Sequence, residues 1–178
     1  MELTGSRTVA APVEQVWRTL HDPVALKSSI PGCESIVAEG TDAFRVAMLA
    51  KVGPVSARFV GKARLSDVDA PRAYSIRFEG SGGVAGFVNG DARITLASDG
   101  AGTTTLGYHA KAQVGGKLAQ IGSRLIDAAA TKVVEDFFTR FVVAAAPQAS
   151  PAPHGAPAAP RWRRWWLAFT SIFRSAQP

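Results

Sequence analysis

Cysteine and histidine are scarce in this sequence: one cysteine, Cys33, and three histidines, His21, His109 and His154, in 178 residues. A single thiol makes no disulfide framework, and a reducing compartment suits it. The histidines are scattered, with neither a metal-ligand cluster nor a Ser/His/acid order around them. A catalytic or metal-binding role therefore gains no support, and none is expected. No run of about eighteen apolar residues occurs, so nothing is expected to span a bilayer. The opening MELTGSRTVAAP lacks the apolar core of a signal peptide. The glycine-rich GSGGVAGFVNG (80–90) lies between two strand patterns, so it reads as a bulge or pocket lip rather than a phosphate loop. No nucleic-acid-binding fold is expected upstream of the tail.

Acids are missing from one stretch in particular. The last eighteen residues hold Arg161, Arg163, Arg164 and Arg174 and no acid, so four of the six net positive charges lie there and +2 remains for the rest. Three of the four tryptophans, Trp162, Trp165 and Trp166, share that stretch.

What is present is a long helical signal and a series of strand signals. From Gly115 to Ala146 no proline interrupts, and Leu118, Ile121, Leu125, Ala129, Val133, Phe137 and Phe141 recur at helical spacing. That predicts a helix of roughly 45 Å, opened by Gly115-Gly116 and stopped by Pro147. Upstream, Leu3–Ala10 reads as a strand. Pro12 opens a short helix with Val13, Val16, Trp17 and Leu20 on one side, Asp22-Pro23 opens another, and Pro31-Gly32 turns. From Cys33 to Val114 the period is two. The predicted inward set includes Phe44, Val46, Met48, Ala50 and Val52, then Ala57, Phe59, Gly61, Ala63 and Leu65. It continues with Tyr74, Ile76 and Phe78, then Val88, Gly90, Ala92, Ile94 and Leu96, then Tyr108, Ala110, Ala112 and Val114. Gly53-Pro54 and Asp99-Gly100 are turn signals.

One strand, two short helices, about six consecutive strands and a long helix predict an α+β fold. A curved antiparallel sheet would wrap around the C-terminal helix. Many inward positions are small, and two readings stand. Either they leave an apolar cavity, or they let the helix pack close. On the cavity reading the lining is Phe44, Val46, Met48, Val52, Phe59, Tyr74, Ile76, Phe78, Val88, Ile94, Leu96 and Tyr108 from the sheet, with Leu118, Ile121, Gly122 and Leu125 from the helix. Outward-facing Arg58, Lys62, Arg64, Arg77 and Arg93 also read two ways. They form a solvated face neutralised by Asp67, Glu79 and Asp91, or they dock on an acidic partner.

The chain divides into a domain over 1–146, a Pro/Ala-rich linker over 147–160 and a tail over 161–178. On a helix, Trp162, Trp165, Trp166, Phe169, Ile172 and Phe173 fall within an arc of about 120°, with Arg163 and Arg164 across from it. Together with Arg161 this is the composition of an amphipathic helix lying in a membrane interface. Docking in a partner groove and nucleic-acid binding are the other readings of the tail.

Several stretches carry a resemblance: VEQVW with Asp22-Pro23, IPGC from Ile30, VGPVSARFVG from Val52, VAGFVNG from Val84, TTTLGYHAKAQVGGKLAQIGSRLI from Thr103, and Phe137-Phe138. With these the first 145 or so residues resemble the carbon monoxide dehydrogenase G-subunit family, part of the START-like, helix-grip superfamily. The resemblance implies a non-catalytic accessory of a molybdenum hydroxylase, of the carbon monoxide dehydrogenase type, with a ligand cavity between sheet and helix. Such an enzyme passes electrons to the membrane quinone pool. The expected ligand is therefore a lipophilic small molecule, an isoprenoid quinone, with no covalent cofactor. The expected location is the cytoplasmic membrane surface, reached from the cytoplasm. The alternative is a passive adaptor that recruits the enzyme to the membrane and binds no ligand.

Overall fold

The structure, a computed structural model, describes residues 1–146; the linker and tail expected at 147–160 and 161–178 lie outside the described residues. The chain opens with strand β1 (Glu2–Val9) and two short helices, α1 (Val13–Leu20) and α2 (Pro23–Ser29). Pro12 precedes α1. Asp22 caps α2, its carboxylate accepting a hydrogen bond from the Val24 amide at 2.9 Å, and Pro23 supplies the first helical residue. Six strands follow: β2 (Cys33–Ala38), β3 (Ala43–Val52), β4 (Val55–Asp69), β5 (Ala73–Ser81), β6 (Phe87–Ser98) and β7 (Thr104–Gly115). A 3₁₀ turn, Gly83–Ala85, sits between β5 and β6. A short helix α3 (Lys117–Gln120) leads into α4 (Ser123–Ala145).

The sheet has seven antiparallel strands in the order β1-β7-β6-β5-β4-β3-β2. Consecutive strands are neighbours because short turns join them, and β1 returns to the far edge beside β7. The period-two pattern sets the register, since a slip of one residue would turn every apolar side chain to solvent.

Glycine shapes the sheet in the middle of β4 and β6. A Cβ on Gly61 would overlap the Glu79 carbonyl oxygen, and one on Gly90 would overlap the Lys111 carbonyl oxygen. Backbones therefore approach closely at both places, and the sheet bends there. Smallness at these two positions reflects that approach rather than empty space.

The C-terminal helix departs from expectation in two ways. It is not continuous from Gly115. Gly122 breaks it in the left-handed region at φ +94°, separating α3 from α4. The inward face is also rotated. Leu125 and Val133, in the expected stripe, are 51% and 39% exposed. Ile126, Ala130, Val134, Phe138 and Ala145 turn toward the protein, beside Phe137 and Phe141 of the expected stripe, which do pack. Both stripes are apolar at helical spacing, so periodicity alone did not choose between them.

Candidate functional site

The cross-strand register divides the concave face into rows. One row runs Tyr74, Ile94, Tyr108 and Gly5, and the next runs Leu65, Ile76, Ala92, Ala110 and Leu3. Then come Phe44, Ala63, Phe78, Gly90 and Ala112, followed by Val46, Gly61, Gly80, Val88 and Val114.

Two separate apolar clusters pack on these rows. The larger one joins Val9, Ala11, Val16 and Leu20 to Tyr74, Leu96 and Leu106, and to Phe138, Phe141 and Ala145 of α4. Leu65, Ile76, Ile94 and Tyr108 pack against it. Aromatic contacts tie it together: Phe137 stacks on Phe141 at 5.3 Å, and Tyr108 meets Phe138 at 5.4 Å. The smaller cluster is Phe59, Ala85 and Leu118, with Met48, Ala50, Val52, Val55, Ala57, Val88, Val114 and Ile121 around it. The Phe59 ring lies against Gly82, where a Cβ would come within 2.7 Å of it. This contact pins the glycine-rich connection to β4.

Between the clusters lies a band that belongs to neither. Phe44, Val46, Ala63, Phe78, Ala92 and Ala110 all point into the concavity, and all keep partial exposure. Six apolar side chains on an inward face that belong to neither packed cluster and keep some exposure make a surface suited to an apolar ligand.

The expected lining residues thus separate into groups. Phe44, Val46 and Phe78 form the open band. Tyr74, Ile76, Ile94, Leu96 and Tyr108 pack in or against the larger cluster, with Tyr74 and Leu96 only 3% and 5% exposed. Met48, Val52, Phe59, Val88, Leu118 and Ile121 make up most of the smaller cluster. Two residues do not face the concavity. Gly122 is exposed, and a Cβ there would meet nothing within 4 Å. Leu125 reaches the β3–β4 turn instead, its Cδ1 lying 3.8 Å from where a Cβ on Gly53 would sit. The helix break at Gly122 displaces both, by resetting the phase of the turns that follow.

A crevice of about 550 Å³ opens beside the smaller cluster. Its walls include Met1, Phe87, Ala112, Val114, Ala119, Ser123, Ile126 and Asp127. It forms because the N-terminal strand reaches β7 only as far as Ala112, which Met1 hydrogen-bonds, and leaves Gln113–Gly115 without a strand on that side. Ile126 and Phe87 were not among the expected lining residues. The signal for Ile126 was its apolar character next to Leu125, which became decisive only once the break at Gly122 was known.

The polar groups around the concavity are few. His21 donates from Nδ1 to the Trp17 carbonyl oxygen at 2.8 Å and stacks on Trp17 at 4.4 Å. Its Nε2 is buried and unpartnered among the described residues. Tyr74 is close to His21, ring centroids 4.9 Å apart, and burial raises its phenol pKa well above the usual value. Burial likewise pushes the Cys33 thiol up, with Lys27 acting the other way. Neither residue is activated for nucleophilic chemistry. Among the described residues no group of three His, Cys, Asp or Glu is placed to hold a metal ion.

The convex face is a lattice of ion pairs. Arg58 pairs with Glu34 at 2.6 Å and Arg77 with Asp91 at 3.0 Å. Glu39 serves both Arg45 and Lys62, and Glu2 pairs with Lys111 and lies 3.2 Å from His109 Nε2. Arg93 donates to the Ser75 hydroxyl at 3.1 Å. This arrangement favours the solvated-face reading. Asp91 acts as expected, whereas Asp67 meets Arg93 only through its backbone oxygen and Glu79 makes no ion pair among the described residues. Glu34, Glu39 and Glu2, from β2, the β2–β3 connection and β1, contribute pairs that sequence reasoning missed.

Comparison with known proteins places this geometry. A model of the carbon monoxide dehydrogenase G-subunit (CoxG) family matches residues 5–145. No curated protein matches the sequence. Among solved structures, a conserved protein from Geobacillus kaustophilus is 32% identical, with a TM-score of 0.77 over 82% of this chain and 95% of that one. A START superfamily protein from Mycobacterium smegmatis shares 13% identity with a TM-score of 0.63, over 80% of this chain and 94% of that one. An aromatase/cyclase from Streptomyces sp. R1128 shares 18% identity with a TM-score of 0.63, over 86% of this chain and 98% of that one. These last two establish the START-like, helix-grip fold. By the extent of the family match, and by a relative at this level of identity over most of its length, the chain belongs to the carbon monoxide dehydrogenase G-subunit (CoxG) family.

Proposed function

We propose that this protein is a non-catalytic, membrane-associated accessory of a carbon monoxide dehydrogenase-type molybdenum hydroxylase. It carries a lipophilic ligand, an isoprenoid respiratory quinone, between the cytoplasmic membrane surface and the enzyme. The observation that supports this most is the partly exposed apolar band that belongs to neither packed cluster. A domain of this size ordinarily closes its core, so an inward apolar surface left open is suited to a guest. Phe44, Val46 and Phe78 supply walls for a flat ring or a prenyl chain, and Ala63, Ala92 and Ala110 leave room beside them. Each five-carbon prenyl unit taken from water contributes about 4 kcal/mol, at about 0.8 kcal/mol per buried carbon, so a modest apolar band suffices to hold a chain.

The family name supports the choice of partner. No helix among the described residues is long and apolar enough to cross a membrane, which is compatible with peripheral attachment. The aromatic, arginine-rich segment Arg161–Phe173 is the proposed anchor. On this reading the protein works at the inner face of the cytoplasmic membrane.

The test is organic extraction of protein purified from its native host, followed by mass spectrometry. About one quinone per chain is the expected result. A protein that comes away empty, and takes up no quinone from loaded vesicles, favours the passive adaptor instead.

A further inference from the structure

We infer that the end of the domain carrying the β3–β4 turn, the glycine-rich β5–β6 connection and the β7–α4 connection is itself a docking face for an anionic lipid bilayer. This deepens the carrier reading by naming the surface through which its site meets lipid, and it stands apart from the C-terminal tail.

Topology provides the first argument. In an antiparallel meander, alternate connections lie at the same end. Residues 53–54, 82–86 and 116–122 therefore share one end, and residues 39–42, 70–72 and 99–103 share the other. Charge divides in the same way. The first end has Lys51, Lys117 and Arg124, all exposed, against one neighbouring acid, Asp127, near the start of α4. At the second end, the stretches 39–42, 67–72 and 99–103 hold Glu39, Asp42, Asp67, Asp69 and Asp99 against Arg72 alone. The domain is thus electrically polarised along its strands. A negative surface would attract one end and repel the other, orienting the domain before contact.

Exposed apolar side chains mark the same end. Val84 is 86% exposed at the 3₁₀ turn, Leu125 is 51% exposed beside Gly53, and Phe87 is 49% exposed. Singly these would need no explanation. Here they cluster with three cations against the single acid Asp127, and with the 550 Å³ crevice that Phe87 and Asp127 help to line. A bilayer interface accommodates both kinds of group, with apolar tips among the acyl chains and cations at the phosphates. An acidic protein surface would satisfy the cations but would set Val84 against carboxylates.

The experiment uses the full chain. In a Cys33→Ser background, an environment-sensitive fluorophore is attached through Val84→Cys, and in a second sample through Ala101→Cys at the opposite end. Each is mixed with phosphatidylcholine vesicles, with or without phosphatidylglycerol, that carry a spin-labelled quenching lipid. The label at position 84 should be quenched by the anionic vesicles and the label at 101 should not, with the effect fading as salt is added. The combined Lys51→Gln, Lys117→Gln, Arg124→Gln variant should lower partitioning by about a hundredfold at low salt. Equal quenching at both positions, or none at 84 while the chain still sediments with vesicles, overturns the docking face. So does a response at 84 to soluble polyglutamate but not to vesicles, which would assign the face to an acidic protein. If instead position 84 inserts but no lipid is ever extracted, the carrier reading fails and the docking face stands.

Discussion

The two halves of α4 are built from similar residues and have different surroundings. From Val134 onward the helix is clamped, with Phe141 and Ala145 at 0% exposure and Phe138 at 6%, all packed on Val9, Val16, Leu20, Leu96 and Leu106. From Ser123 to Val133 no residue is fully buried. One helix therefore holds the fold together with its C-terminal half and only lies over the site with its N-terminal half. Hydrophobicity does not decide which half is which. The N-terminal segment and α1 fill the concavity at one end of the sheet, and at the other end the 3₁₀ turn and α3 face the strands, with α4 touching β3 near its turn.

The sharpest way to break this contrast is a pair of truncations on the same helix. Phe141→Ala should cost about 3–5 kcal/mol in urea or thermal unfolding, because it opens a void in the closed cluster. Leu125→Ala should cost less than about 1 kcal/mol, since half of the side chain already faces water. Equal costs would mean that both halves are clamped alike.

A smaller effect probes the open band between the clusters. Ala63→Phe places a ring between Phe44 and Phe78 in one cross-strand row. If the band is unfilled, the substitution should cost under about 1 kcal/mol and abolish quinone uptake, measured by extraction after incubation with loaded vesicles. If the band is already close-packed, overpacking should cost about 1–3 kcal/mol and leave lipid content unchanged.

The smallest effect lies at the β2 edge. Burial raises the Cys33 pKa above its ordinary value, so the folded state disfavours the thiolate. A raised folded-state pKa contributes stability that is fully present below the unfolded pKa and is lost as pH rises through the folded value. Stability should therefore decline slightly in alkaline solution, and Cys33→Ala should remove that part of the decline. A Cys33→Ala protein with the same alkaline loss as the parent would assign the loss to other groups.

Much of this arrangement could be read along the chain. Alternation from Ala43 to Val114 marked the concave face, and its inward positions match the observed register. Pro12, Asp22-Pro23 and Gly53 marked the ends of elements, through φ restriction, side-chain capping and left-handed backbone. The helix phase was legible at Phe137 and Phe141 but not at Leu125 and Val133, because two apolar stripes run side by side in α4 and Gly122 looks in sequence like any glycine a helix tolerates. Neither was the division of the lining. Tyr74, Phe78 and Phe59 alternate in the same way along their strands, yet one packs in the larger cluster, one in the open band and one in the smaller cluster.

By itself the sequence determined the class of fold, the order of its elements and which face of each strand turns inward. These follow from side-chain period and turn chemistry, which act over a few residues. Only the tertiary structure decided which inward residues are core and which stay open, since that depends on what the helices and termini bring opposite them. It also gathered Lys51, Lys117 and Arg124 at one end and Asp42, Asp67 and Asp99 at the other. Residues far apart in the chain share an end only when the meander closes.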